Sequence, residues 1–338
     1  MVMRRVWNFW LDPLLPAGAL GLLLGVAACY GGRWDGVAAV TVFPFWGWGV
    51  AGLGVAVGSW LARRGRLARW VAWGWVAAVL GFSDETRPVL RGWADRPERG
   101  LAAAGPDGRP VRRVITFNCL AGAFNPAAPR EVLPWEPDVV LLQESAPLGV
   151  LREVARELYG GAPSGHAAGT WECGIITRGR ILRSAAGVNP SRLSAVIQFS
   201  DGQVMEVTSV HLASAETDVR LYCGETFRKH AANRRERRGE LQRVLGGRPL
   251  LPGAGPALIG GDFNAGAGDA IFRLLEAAGY RDAMAAVGSG WPNTFPNEAP
   301  LLRIDYQWSQ ASLVPLRGRV VPSPHSDHQM VICDYLIP

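Results

Sequence analysis

Two regimes of hydrophobic patterning divide the chain. Over residues 14–30 and 37–62 apolar side chains run almost unbroken, and each run approaches or exceeds the length that a helix needs to cross a bilayer. A third run, 67–83, contains Arg69 and predicts either a span whose arginine snorkels to the interface or a helix lying in that interface; three spans are expected. Beyond residue 110 the apolar runs shorten and end in polar residues. Segments 111–118, 138–144, 173–177, 194–200, 203–211, 257–261, 304–308, 319–321 and 330–334 predict strands, and 148–158, 227–245 and 269–278 predict helices. Many strands with few helices between them predict two sheets packed face to face with helices outside.

Charge and tryptophan follow the same division. Residues 1–83 hold seven arginines against Asp12 and Asp35, leaving the remainder of the +6 chain at only +1. The larger part therefore lacks the basic excess of a protein that grips a long phosphate backbone. Nine of the 14 tryptophans also fall in residues 1–83, as in the aromatic belts of membrane proteins. Arg4 and Arg5 precede the first span, and Arg63, Arg64, Arg66 and Arg69 fill the second turn, so the amino terminus and that turn are expected in the cytoplasm. Three spans then place the rest of the chain outside it; two would leave it inside. Val26-Ala27-Ala28-Cys29 also resembles a bacterial lipoprotein cleavage box, an alternative that Asp12, Pro13 and Pro16 disfavour. Residues 84–109, with Pro88, Pro97, Pro106 and a Gly-Pro-Asp-Gly turn, predict a linker before a domain at 110–338. The five cysteines show no metal spacing; buried free thiols are expected, although a bond between Cys173 and Cys223 is allowed.

Candidate chemistry gathers where the strands end: Asn118, Glu144, His211, Asp262 with Asn264, Asp305, and Asp327 with His328. Glu144 can hold Mg²⁺ through oxygen. His211 and His328 can donate hydrogen bonds to phosphoryl oxygens as charge builds, and a buried Asp fixes an imidazole's tautomer. Each residue alone also suits a cap, an ordinary ion pair or a core histidine. Their joint order favours a metal-assisted phosphoryl site.

Thr116-Phe117-Asn118, Leu142-Gln143-Glu144, Ser209-Val210-His211-Leu212, Gly261-Asp262-Phe263-Asn264, Arg303-Ile304-Asp305-Tyr306 and Ser326-Asp327-His328 resemble the ordered motifs of the endonuclease/exonuclease/phosphatase superfamily over about residues 111–338. The resemblance implies a four-layered α/β sandwich of two mainly antiparallel sheets and Mg²⁺-dependent cleavage of phosphoesters, with Mn²⁺ as an alternative ion. It implies Glu144 as metal ligand with Asn118 and Asp327 nearby. It implies Asp262 as the residue that orients or deprotonates water, Asn264 as a phosphate contact, His211 and His328 as transition-state donors, and Asp305 as the partner of His328. Thr294 matches a weaker family position. Leu120 stands where several nucleases of the family carry an Asp, and Tyr222 is a candidate for a substrate-contacting tyrosine.

The expected function is a membrane-anchored, extracytoplasmic phosphoesterase acting on a lipid head-group or envelope phosphoester. The alternatives are a nuclease for external nucleic acid and a silent phospho-ligand binding protein. Oligomeric state is not legible. The run Arg228 to Arg238 predicts a solvated helix with internal ion pairs, or an anionic-ligand contact.

Overall fold

The computed structural model describes residues 2–63, 66–94, 109–122, 124–161, 165–187, 191–247, 250, 257–311 and 313–337. Helices come first: α1 (Val2–Gly32), α2 (Ala38–Thr41), α3 (Phe45–Arg63), α4 (Arg66–Phe82) and α5 (Thr86–Ala94). Strands follow as β1 (Val111–Asn118), β2 (Val139–Gln143), β3 (Ala167–Gly169), β4 (Cys173–Thr177), β5 (Arg180–Ala186), β6 (Arg192–Gln198), β7 (Val204–His211), β8 (Ala257–Asp262), β9 (Tyr280–Asp282), β10 (Asp305–Gln310), β11 (Val314–Val321) and β12 (Met330–Leu336). Between them lie α6 (Leu148–Tyr159), α7 (Gly224–Leu245), α8 (Phe272–Ala277) and α9 (Ala283–Val287). Two compact units result: Met1–Thr86 with Glu216–Arg234 and Gly266–Ala270, and the remainder.

In the first unit, Leu23, Val26, Phe45, Val71 and Trp75 form an apolar core among α1, α3 and α4. Glycines let these helices approach: a Cβ on Gly52 would lie 2.0 Å from the Trp75 ring, and one on Gly49 would lie 2.2 Å from Val79. Trp75 is fully buried and donates to the Ala19 carbonyl at 3.1 Å, whereas Trp70 and Trp73 remain exposed. Among the described residues, Leu14–Gly32 is long and apolar enough to cross a membrane; Phe45–Leu61 is so only when joined with Asp35–Thr41, from which it is bent by 69°. Helix α4, Arg66–Phe82, has 17 residues, as many as the expected third run 67–83. Arg234 departs from the solvated reading of its helix. It is 1% exposed, paired with Asp269 at 3.1 Å, and donates to Thr41 Oγ1 and the Trp34 carbonyl.

The second unit holds two six-stranded sheets, ordered β11-β12-β1-β2-β4-β3 and β5-β6-β7-β8-β10-β9. Pairs β1/β2 and β7/β8 are parallel and the other pairs antiparallel. Val114, Val139, Leu141 and Ile175 face Ala195, Ile197, Val207 and Leu258 between the sheets. Ile115, Phe117, Val140 and Leu142 pack outward with Leu151 and Val154 of α6, and Ile259, Tyr306 and Trp308 pack with Leu241 and Phe272. Central strands covered on both faces read as continuous apolar runs, and the layers are those of the four-layered α/β sandwich.

The expected linker contains α5, whose Arg91 guanidinium donates to the carbonyls of Met284, Ala285, Ala286 and Gly288 at the end of α9; cations suit that end of a helix. Pro97 and the Gly-Pro-Asp-Gly turn lie outside the described residues. All five cysteines are free.

Candidate active site

Strand pairing gathers the expected residues. His211 is the register partner of Asp262 across β7/β8, and Asp305 is the partner of Asp262 across β8/β10. Three functional groups thus lie side by side on adjacent strands. In the other sheet, Asn118 pairs with Gln143, the residue before Glu144. The sheets meet closely here because Gly260 leaves room: a Cβ there would come within 2.7 Å of Thr116 Oγ1 and 2.8 Å of Leu141. Gly261, at φ +154°, passes so near Val210 that a Cβ would lie 1.9 Å from its carbonyl oxygen.

Asn118 joins the two sheets. Its Nδ2 donates to Glu144 Oε1 at 3.2 Å and to Asp262 Oδ2 at 3.1 Å. Its Oδ1 accepts from the Leu120 backbone at 3.0 Å, and Ala121 N donates to Glu144 Oε2 at 2.8 Å. Leu120, Ala121, Glu144 and Asn264 all carry left-handed backbone, a conformation that costs free energy in non-glycine residues and concentrates at functional sites. Asn264 N donates to Asp262 Oδ1, while Asn264 Nδ2 donates to the Leu212 carbonyl.

Two imidazoles flank Asp262, each with Nε2 3.8 Å from its Oδ2. His328 Nδ1 lies 2.9 Å from Asp305 Oδ2, which also accepts from Thr294 Oγ1 at 2.6 Å. Thr294 is therefore a support for Asp305. His211 Nδ1 lies 2.7 Å from Glu172 Oε2. Glu172 was not anticipated; the available signal was its position just before β4, whose Cys173 pairs with Gln143.

Burial and the Asp305 charge raise the Asp262 pKa, against the lowering effect of both imidazoles. For His211 and His328 burial favours the neutral ring, but the adjacent carboxylates win. Glu172 and Asp262 raise the pKa of His211, and Asp305 leads the rise of His328 to about 10. Both rings are thereby disposed to donate from Nε2.

The donor set suits a hard divalent cation, which takes oxygen ligands. Asp305 Oδ1 and Asp327 Oδ1 are buried without a hydrogen bond. Ligand atoms of Asp262, Asp305 and His328 lie within 4.8 Å of one another. Glu144 adjoins this group through Asn118, whose amide oxygen is turned toward the Leu120 backbone. Leu120 is 43% exposed and Tyr222 89% exposed.

The profile of the Endonuclease/Exonuclease/phosphatase family matches residues 115–328, and the chain belongs to that family. Its members are phosphoric ester hydrolases that generally use divalent metals, and this chain is a phosphoric ester hydrolase. Among solved structures, a humanized Danio rerio TDP2 with 14 mutations is similar at 20% identity, covering 67% of this chain and 98% of its own, with TM-score 0.50. D. rerio TDP2 complexed with a single-strand DNA product matches at 19% identity, with the same coverages and TM-score 0.50. A mannosyl-6-phosphatase of Bacteroides thetaiotaomicron matches at 16%, covering 67% and 100%, with TM-score 0.48. No curated protein matches.

Proposed function

We propose that the protein is a membrane-held, Mg²⁺- or Mn²⁺-dependent phosphoesterase whose catalytic domain, residues 110–338, faces away from the cytoplasm. The observation that carries the reading is Asp262, buried between two imidazoles that are each held at Nδ1 by a carboxylate, and linked through Asn118 to Glu144. Asp262 orients a water and accepts its proton; its raised basicity suits that task near neutral pH. Asn264 holds the phosphoryl group. His211 and His328 donate to oxygens that gain charge as water attacks in line with the leaving oxygen. Glu144 and Asp327, with Asn118 beside them, would hold the cation. A bound cation supplies charge neutralisation at the phosphoryl oxygens.

Membrane attachment is supported by the apolar helix 14–32 and by the bundle around Trp75. Sidedness is supported by Arg4 and Arg5 ahead of the apolar stretch 14–32 and by Arg63, Arg64, Arg66 and Arg69 around the α3/α4 turn. The opposite end of that bundle carries residues 33–41, which hold Arg234. The test is hydrolysis by the full chain in detergent, with Mg²⁺ and with EDTA, across phosphomonoester, phosphodiester, lipid and nucleic acid substrates. Chelator-sensitive turnover abolished by Asp262→Ala is the expected result; turnover unchanged by that substitution sinks the assignment.

A further inference from the structure

The connections around the site share an unusual composition. Segments 119–129, 144–151, 165–172, 212–215, 263–265, 288–302 and 322–329 contain no lysine or arginine. The nearest arginine in sequence to the Thr294 loop, Arg303, has its guanidinium on Asp282 and over the Tyr306 ring, with a side chain 4% exposed. Large apolar side chains stand out from these same connections: Phe124 is 91% exposed, Trp171 72%, Leu301 48%, and Leu120 and Trp291 43% each. Each sits on a connection that carries or supports a site residue. Leu120 N bonds Asn118, and Phe124 N bonds the Ala121 carbonyl in the turn that holds Glu144. Trp171 precedes the Glu172 that holds His211. Leu301 N bonds the Phe295 carbonyl beside Thr294, and the Trp291 indole donates to the Pro300 carbonyl.

Large exposed apolar side chains on the connections that hold a site mark a partner surface. Aromatic platforms for single-stranded nucleic acid come with a positively charged groove along the backbone, and affinity for a phosphate polymer rests on lysine and arginine. These connections supply the aromatics; their one cation, Arg220 farther along the 212–223 connection, has its guanidinium on Asp218. Exposed Trp, Phe and Leu on these connections suit the interfacial layer of a bilayer. We infer that the substrate is a lipid with a single phosphoester, its apolar portion resting on Phe124, Trp171 and their neighbours while the phosphoryl group reaches Asp262. This inference rests on the phosphoesterase reading above and narrows it to a substrate class.

The full chain in lipid nanodiscs with Mg²⁺ would be given phosphatidic acid and phosphatidylcholine, their chainless counterparts glycerol 3-phosphate and glycerophosphocholine, a single-stranded oligodeoxynucleotide and inositol trisphosphate. One lipid should exceed its chainless counterpart in kcat/KM by about tenfold or more, as expected when apolar surface contributes to binding. Combined Phe124→Ser and Trp171→Ser should lower that ratio by about tenfold, and Phe124→Leu with Trp171→Tyr should restore most of it. Equal turnover of lipid and chainless substrate, or faster cleavage of the oligonucleotide or inositol trisphosphate, would overturn the inference while leaving the phosphoesterase reading intact. Absence of chelator-sensitive turnover on every substrate would overturn both.

Discussion

Asp262 makes the sharpest single-residue prediction, because it is 1% exposed and receives hydrogen bonds from both Asn118 and the Asn264 backbone. Asp262→Asn keeps the shape and removes the base. It should lower kcat by about 10³-fold with KM changed far less, as read in steady-state kinetics with saturating Mg²⁺. Asp305→Asn and Glu172→Gln act through the imidazoles, by removing the negative charge that holds His328 and His211 at Nδ1. Each should cost about 10²-fold in kcat, visible in single-turnover rates at unchanged substrate binding. Most of the residues in this arrangement were legible because they terminate apolar runs, where a strand delivers its last side chains to one rim. Glu172 was not, because it lies in a polar loop and its partner is set by which strands face one another across the sandwich.

At the level of the element, β8 carries the tightest constraint. Gly260→Val inserts branched carbon where Thr116 and Leu141 leave 2.7 and 2.8 Å to a Cβ, and overpacking of this kind costs about 1–3 kcal/mol. A lowered melting temperature of the detergent-purified chain is the expected outcome. The central strands β1, β2, β4 and β8 were readable from sequence because both of their faces are buried, which makes each a short apolar run between polar ends. Strand β5 was not readable: Arg180–Ala186 is an edge strand, largely exposed, and shows no buried alternation. Strands β3 and β9, three residues each, are too short to show a period. Helix α5 was hidden by Pro88, which lies near its start, where proline is tolerated.

For the whole molecule, removal of divalent ions with EDTA should abolish turnover, and Mg²⁺ or Mn²⁺ should restore it; retention of full activity in chelator would argue against the cation's part in the reaction. Arg234→Ala tests a different property. It takes the Arg234 guanidinium away from the buried Asp269, and breaking a buried pair should destabilise the first unit by up to about 3–5 kcal/mol, measured as loss of thermal stability with the full chain in detergent. Nothing in the sequence pattern disclosed this pairing, since a run rich in arginine reads as solvated until the fold shows which of them, here Arg234 and Arg237, turn inward. Arg234 also has a consequence for biosynthesis. The ribosome releases Thr41 and the Trp34 carbonyl long before Arg234, their partner at a sequence separation of about 200 residues, and Asp269 later still. The amino-terminal unit must therefore wait unfinished until the chain through residue 270 has emerged, and closing so long a loop is a slow, late step in folding.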